Sequence, residues 1–190
     1  MWEWRTFLSI EKSRELDLVI ESILNTEIIE SRIDLYYNFH SIDFGLKIRS
    51  IMSEVPLLEL KILEESNGIY ELWDKCVKYP ISRNAECRSV ENFINLLKNQ
   101  QGQSPKVHKV IDLLQERNYS LNQLIKKRKK KDLGNITLEK TIINYETRTW
   151  VSVQIESLEC GELDRFLENS LLIKKNHFKN ISYPRFLLEF

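Results

Sequence analysis

Charged residues recur at every second position within segments that are otherwise apolar, and this alternation limits the possible folds more than any other feature of the chain. Successive side chains of a β-strand point to opposite faces, so a period of two means strands with one apolar and one polar side. In Phe44-Gly45-Leu46-Lys47-Ile48-Arg49, the residues Phe44, Leu46 and Ile48 face one way and Lys47 and Arg49 the other. After a turn around Pro56, Leu58, Leu60 and Ile62 oppose Glu59 and Lys61. Further on, Ile136, Leu138 and Ile142 oppose Thr137, Glu139 and Thr141, and Val151, Val153 and Ile155 oppose Ser152, Gln154 and Glu156. Weaker alternation in Trp2 to Phe7, Ile28 to Tyr37, Ile69 to Val77 and Leu124 to Lys130 brings the strand-like runs to eight.

Four other stretches carry a helical period. Leu16, Val19, Ile20, Ile23 and Leu24 share a stripe within Glu15 to Asn25. Val90, Phe93, Ile94 and Leu97 form a second, and Val107, Val110, Ile111 and Leu114 a third, which Ser104-Pro105 starts with a capping hydroxyl and a proline at the first helical position. Leu163, Phe166, Leu167 and Leu171 mark a fourth, from about Glu162 to Leu172. Mixed strands and helices in 190 residues, with no linker or repeat, predict one α+β domain over residues 1–190.

Each strand-like run places at least one charged or polar side chain on its polar phase. The sets are Glu3 and Arg5; Glu30, Arg32 and Asp34; Lys47 and Arg49; Glu59 and Lys61; Glu71 and Lys75; Lys126, Arg128 and Lys130; Glu139; and Gln154 with Glu156. Two architectures produce this pattern. An open sheet can be wet on one face, or the strands can close into a barrel with apolar faces outward under the helices and charged faces inward. The helices favour the barrel, because each carries a single apolar stripe that needs an apolar surface to cover. A charged lumen calls for a neutralising ligand, and mixed cations and carboxylates suit a polyphosphate with divalent cations.

Lys and Arg total 28, as do Asp and Glu, so there is no global attraction to nucleic acid or to an acidic membrane. The run Lys126-Lys127-Arg128-Lys129-Lys130-Lys131 divides between two faces as a strand, which dilutes any nucleic-acid patch. Cys76, Cys87 and Cys160 lack CxxC spacing, and His40, His108 and His177 lack zinc spacing. With no signal-like or membrane-spanning run, a reducing cytoplasmic location is expected. Trp2, Trp4, Trp73 and Trp150 are expected to pack under helices.

The order and phase of Leu46-Lys47-Ile48-Arg49, Leu58-Glu59-Leu60-Lys61, Lys127-Arg128 and Leu138-Glu139 resemble the CYTH, or triphosphate tunnel metalloenzyme, superfamily from Trp2 to about Glu159. The resemblance implies an eight-stranded antiparallel barrel with helices outside. It also implies a triphosphate-containing small molecule, a nucleotide or inorganic polyphosphate, gripped by Lys47, Arg49, Lys61 and Arg128, with Lys126 and Arg32 on the same phase. Glu3, Glu139 and Glu156 would hold Mg²⁺ or Mn²⁺, and the implied chemistry is metal-dependent triphosphate hydrolysis or adenylyl cyclase activity. The family's N-terminal Glu-x-Glu-x-Lys reads Glu3, Arg5, Phe7 here, and its acidic last strand reads Ser152, Gln154, Glu156. These departures open an alternative, a non-catalytic module that binds phosphorylated ligands or serves as a scaffold.

Overall fold

The computed structural model describes residues 1–25, 29–51, 54–82, 89–101, 104–171 and 178–190. Its strands are β1 (Trp2–Ser9), β2 (Glu30–Asn38), β3 (Phe44–Ile51), β4 (Leu57–Ser66), β5 (Glu71–Pro80), β6 (Ser120–Leu133), β7 (Ile136–Tyr145) and β8 (Arg148–Ser157). Its helices are α1 (Ile10–Leu24), α2 (Val90–Gln101), α3 (Pro105–Gln115), α4 (Cys160–Asn169) and α5 (Tyr183–Glu189). The strands join as a closed antiparallel barrel in the order β1-β5-β4-β3-β2-β6-β7-β8. The α+β barrel implied by the sequence is therefore the fold, and the open wet sheet is not.

The chain divides into two compact units. The first comprises Met1–Ser31, Leu63–Trp73 and Leu124–Ser182. Here β1 runs antiparallel to β8 from Trp2↔Ser157 to Ser9↔Trp150, and its first residues also pair with β5 through Trp2↔Leu72 and Glu3↔Glu71. The apolar phase of these strands, including Trp4, Leu8, Leu138, Val151, Val153 and Ile155, forms one core with Leu16, Ile20 and Leu24 of α1 and Leu163 and Leu167 of α4. Helix α1 starts at Ile10, well before its apolar stripe, because Ser9 is extended and its hydroxyl accepts from the Lys12 N–H. Ile10 itself is half exposed and carries no periodic signal. The helix ends where Asn25 turns left-handed, its N–H returning to the Glu21 carbonyl.

The second unit comprises Arg32–Ile62, Asp74–Gln123 and Tyr183–Phe190. Phe44, Leu46, Ile48, Leu58, Leu60 and Ile62 of β3 and β4 pack against Phe93 and Leu97 of α2 and Val107, Val110, Ile111 and Leu114 of α3. Ser104 stands at the N-cap of α3, but its side chain makes no cap bond, contrary to the expected capping hydroxyl; its carbonyl takes the His108 N–H instead. Helix α5 has no counterpart among the expected elements. It lies against the polar phase of β2 and β3: Tyr183 stacks on Tyr36, Asn38 donates to the Leu187 carbonyl, and Pro184 sits over Gly45. A Cβ at Gly45 would stand 3.6 Å from Pro184 Cγ, an ordinary contact, so the glycine leaves room for the helix without being obligatory.

The expected strand start at Ile28, the end of the fourth helix at Leu172, Cys87 and His177 lie outside the described residues. Among the described residues no helix is long and apolar enough to cross a membrane.

Candidate functional site

In both units much of the strands' polar phase is withdrawn from solvent, although Lys75 and Lys130 are exposed. Glu3, Arg5, Arg32, Asp34, Lys47, Glu71, Lys126, Glu139, Thr141, Ser152 and Gln154 are all buried. A buried charge is tolerated only with partners, so the pairing within each unit decides what that unit can bind.

In the second unit, Asp34 on β2 is the hub. Lys47 Nζ lies 3.0 Å from Asp34 Oδ2, and Arg32 Nε lies 3.4 Å from Asp34 Oδ1. Glu59 on β4 stands opposite Lys47 in register, 3.4 Å from its ammonium and 3.0 Å from Arg49 Nη2. Lys61 follows on the same phase, opposite Gly45. The Lys47 ammonium also lies over the Tyr36 ring, 5.4 Å from its centroid. Burial pushes the Lys47 ammonium down to about 8, more than the attraction of Asp34 and Glu59 restores. Burial pushes Glu59 upward, but Lys47 and Arg49 together outweigh it and hold the carboxyl below its usual range. Four cationic side chains, Arg32, Lys47, Arg49 and Lys61, thus share one phase with two carboxylates, Asp34 and Glu59. The face carries excess positive charge.

The first unit has the opposite balance. Glu3 is paired in register with Glu71 on one side and Glu156 on the other, which sets three carboxylates in a row across β5, β1 and β8. Like charges directly opposite each other repel. Each of the three is met by a donor. Arg5 Nε lies 3.0 Å from Glu3 Oε1, Gln154 donates to Glu156 over 2.7 Å, and the Trp73 indole donates to Glu71 over 3.1 Å. Arg5 also donates to Ser152 Oγ and to Gln154 Oε1. One strand further on, Arg128 bridges Glu139 at 3.0 Å and Glu30 at 2.5 Å, while Thr141 donates to the second oxygen of Glu139. Lys126 is fully buried on the Arg128 phase.

The other phase of the lysine run turns to α1. Lys129 pairs with Glu21, and Lys131 donates to the Ile23 carbonyl near the helix's C-terminal end, where a cation is favoured. Lys140 of β7 joins Asp17 and Glu21. The Lys129 and Lys140 hydrogen bonds hold the Glu21 carboxyl below its usual range. The division of the run between two faces expected from the sequence is what the strand shows.

Of the three expected metal ligands, Glu3 and Glu156 are register partners across β1 and β8, and Glu139 is the partner of Gln154 on β8. Glu3 belongs to Arg5, Glu139 to Arg128, and Glu156 accepts from Gln154. Among the described residues no group of three or more His, Cys, Asp and Glu side chains is placed to hold a metal ion. Mg²⁺ is commonly held by one or two carboxylates, with waters and substrate phosphates completing its shell, but here each expected carboxylate is already engaged by a side chain of the protein. Of the expected phosphate ligands, Lys47 and Arg49 share the Glu59 carboxylate, Arg32 and Lys47 share Asp34, and Lys61 occupies the same phase. Lys126 and Arg128 belong to the other unit. The expectation for the tryptophans holds for Trp2 and Trp4, which join the helix-covered core, but not for Trp73, which shares the phase of Glu71 and donates to it, nor for Trp150, which stands on the Ser152 and Gln154 phase. The position of Trp73 two residues from Glu71 carries that signal.

No family model and no curated protein matches the sequence. Solved structures do. A protein of Pyrococcus horikoshii superposes with a TM-score of 0.57 at 13% identity, over 96% of this chain and 97% of that one. A Hippeastrum protein studied as a candidate adenylyl cyclase, with a dominant triphosphatase activity, gives 0.55 at 14% identity over 89% and 87%. A candidate adenylate cyclase of Bacillus halodurans gives 0.57 at 14% identity over 94% and 92%. The chain has the fold of these cyclase- and triphosphatase-named barrels. The resemblance to the CYTH superfamily read from Lys47-Ile48-Arg49 and its companions is borne out at the level of fold.

Proposed function

We propose that the protein binds a triphosphate-containing molecule, a nucleotide or inorganic polyphosphate, on the basic face of β2, β3 and β4, and does so without hydrolysing it. The excess of Arg32, Lys47, Arg49 and Lys61 over Asp34 and Glu59, on a face where Arg32, Asp34 and Lys47 are buried, carries this reading. Desolvated cations attract phosphate oxygens more strongly than exposed ones. Asp34 and Glu59 hold the cations in fixed positions, which lowers the ordering cost of binding. Arg49, with 19% of its side chain exposed, meets an incoming anion more readily than Lys47, with 10%. Hydrolysis is the second reading, favoured by the triphosphatase activity of the Hippeastrum protein. It is the weaker one here, because Glu3, Glu139 and Glu156 are engaged by side chains of this protein.

The test is a thermal-shift titration with tripolyphosphate, alongside orthophosphate as the control. A ligand that binds only the folded state stabilises it by mass action. Tripolyphosphate should raise the melting temperature, orthophosphate should not, and Arg49→Ala should weaken the tripolyphosphate effect by roughly tenfold in apparent affinity, as loss of one charge-assisted contact does. No shift with tripolyphosphate sinks the proposal. Phosphate release in the presence of Mg²⁺ would replace the binding reading with the hydrolytic one.

A further inference from the structure

We infer that the Arg5 guanidinium is the resident cation of the Glu71–Glu3–Glu156 row, and that its charge keeps divalent ions out of this part of the barrel. The row itself comes from strand register: Glu3 is the Cα partner of both Glu71 and Glu156. Three carboxylates so placed need a cation nearby, and Arg5, two residues along β1 on the same phase, supplies it.

Arg5 is fixed through both its backbone and its side chain. Its N–H donates to Asn180 Oδ1 over 2.8 Å and its carbonyl accepts from the Ile181 N–H over 2.7 Å, which anchors β1 to the chain segment before α5. Its guanidinium engages Glu3 through Nε, Ser152 through Nη1 and Gln154 through Nη2. Gln154 extends the effect across the row, because its carbonyl oxygen accepts from Arg5 while its amide donates to Glu156. A glutamate at position 154 would accept from Arg5 but could not donate to Glu156, so the neutral amide and the fixed cation work as a pair. A divalent ion at the row would have to displace a guanidinium held by three side-chain partners, and Coulomb repulsion from it at short range opposes entry.

The experiment measures Mn²⁺ binding with no phosphate compound present, by electron paramagnetic resonance of the free ion and by thermal shift. Its failure is therefore separate from failure of the triphosphate reading. The wild-type protein should leave Mn²⁺ free at millimolar concentration. Arg5→Gln, which keeps polar donors but removes the charge, should bind Mn²⁺ at least about tenfold more tightly, and Arg5→Met, which keeps the length without charge, should do the same. Arg5→Lys should behave as wild type. Two variants guard against a folding defect in one of them, with near-ultraviolet circular dichroism as the check. Tight Mn²⁺ binding by the wild type overturns the inference, and so does a folded Arg5→Gln or Arg5→Met protein that leaves the ion free.

Discussion

At the scale of the residue, Lys47 is the group whose chemistry the fold alters most informatively. Its ammonium loses hydration on burial, and that cost exceeds the attraction of Asp34, so its value in the folded state falls to about 8 from 10.5. The sign follows from proton counting. Between about pH 8 and 10.5 the unfolded chain keeps the Lys47 proton that the folded chain has released, so this residue makes folding more favourable as pH rises through that window. Below it, the buried charge is a burden of roughly 3 kcal/mol, from ~1.4 kcal/mol for each unit of displacement. Urea denaturation at pH 7 and pH 10 should show wild-type stability rising relative to Lys47→Met across the window; parallel curves for the two proteins would mean that Lys47 does not titrate there. Tripolyphosphate bound beside the ammonium should draw its value back upward.

At the scale of the element, the alternating strands and the single-stripe helices were legible because one physical cause, burial on one side, writes one period into the sequence. Helix α5 was not. Tyr183, Pro184, Phe186 and Leu187 are buried while Arg185, Leu188 and Glu189 are less so, but a helix of two turns is too short for that contrast to establish a period in the sequence. Phe186 is fully enclosed. Phe186→Ala should therefore cost about 3–5 kcal/mol by the cavity it leaves, read as a lower urea midpoint with unchanged slope. A loss below ~1 kcal/mol would show that α5 is loosely seated. The start of α1 was hidden for the opposite reason. Ser9 and Ile10 fix it through a cap and not through a stripe.

At the scale of the whole molecule, the strands could be counted from the sequence but their closing order could not. β1 is hydrogen-bonded to β5 and β8, partners far away in sequence, and no alternation of residue type records which distant strand lies alongside. The candidate site was legible in the same partial way. Phase identified Lys47, Arg49 and Lys61 as neighbours, whereas the assignment of Glu3 to Arg5 and of Glu139 to Arg128 depends on side-chain geometry that phase does not encode. The two units each have their own apolar cluster, with no buried residue in common. Phe93→Ala in one and Leu163→Ala in the other should each cost ~2–5 kcal/mol, and their effects should add to within about 0.5 kcal/mol in the double variant. A larger departure would mean that the clusters are coupled through the strands they share.

The basic run of β6 has one more consequence, and it concerns information. A strand displaced by one residue exchanges its faces, but Lys126 to Lys131 is cationic at every position, so a displaced run would still present cations to Glu139 and to Glu21 alike. The run is therefore nearly blind to its own register. What distinguishes one alignment from the next must lie at its two ends, where Leu124 is buried on the Lys126 phase and Leu133 packs into the helix-covered core on the other. Those two leucines act as the index marks on an otherwise uniform ruler: exchanging lysine for arginine between them leaves the message intact, while moving either mark by one place rewrites it.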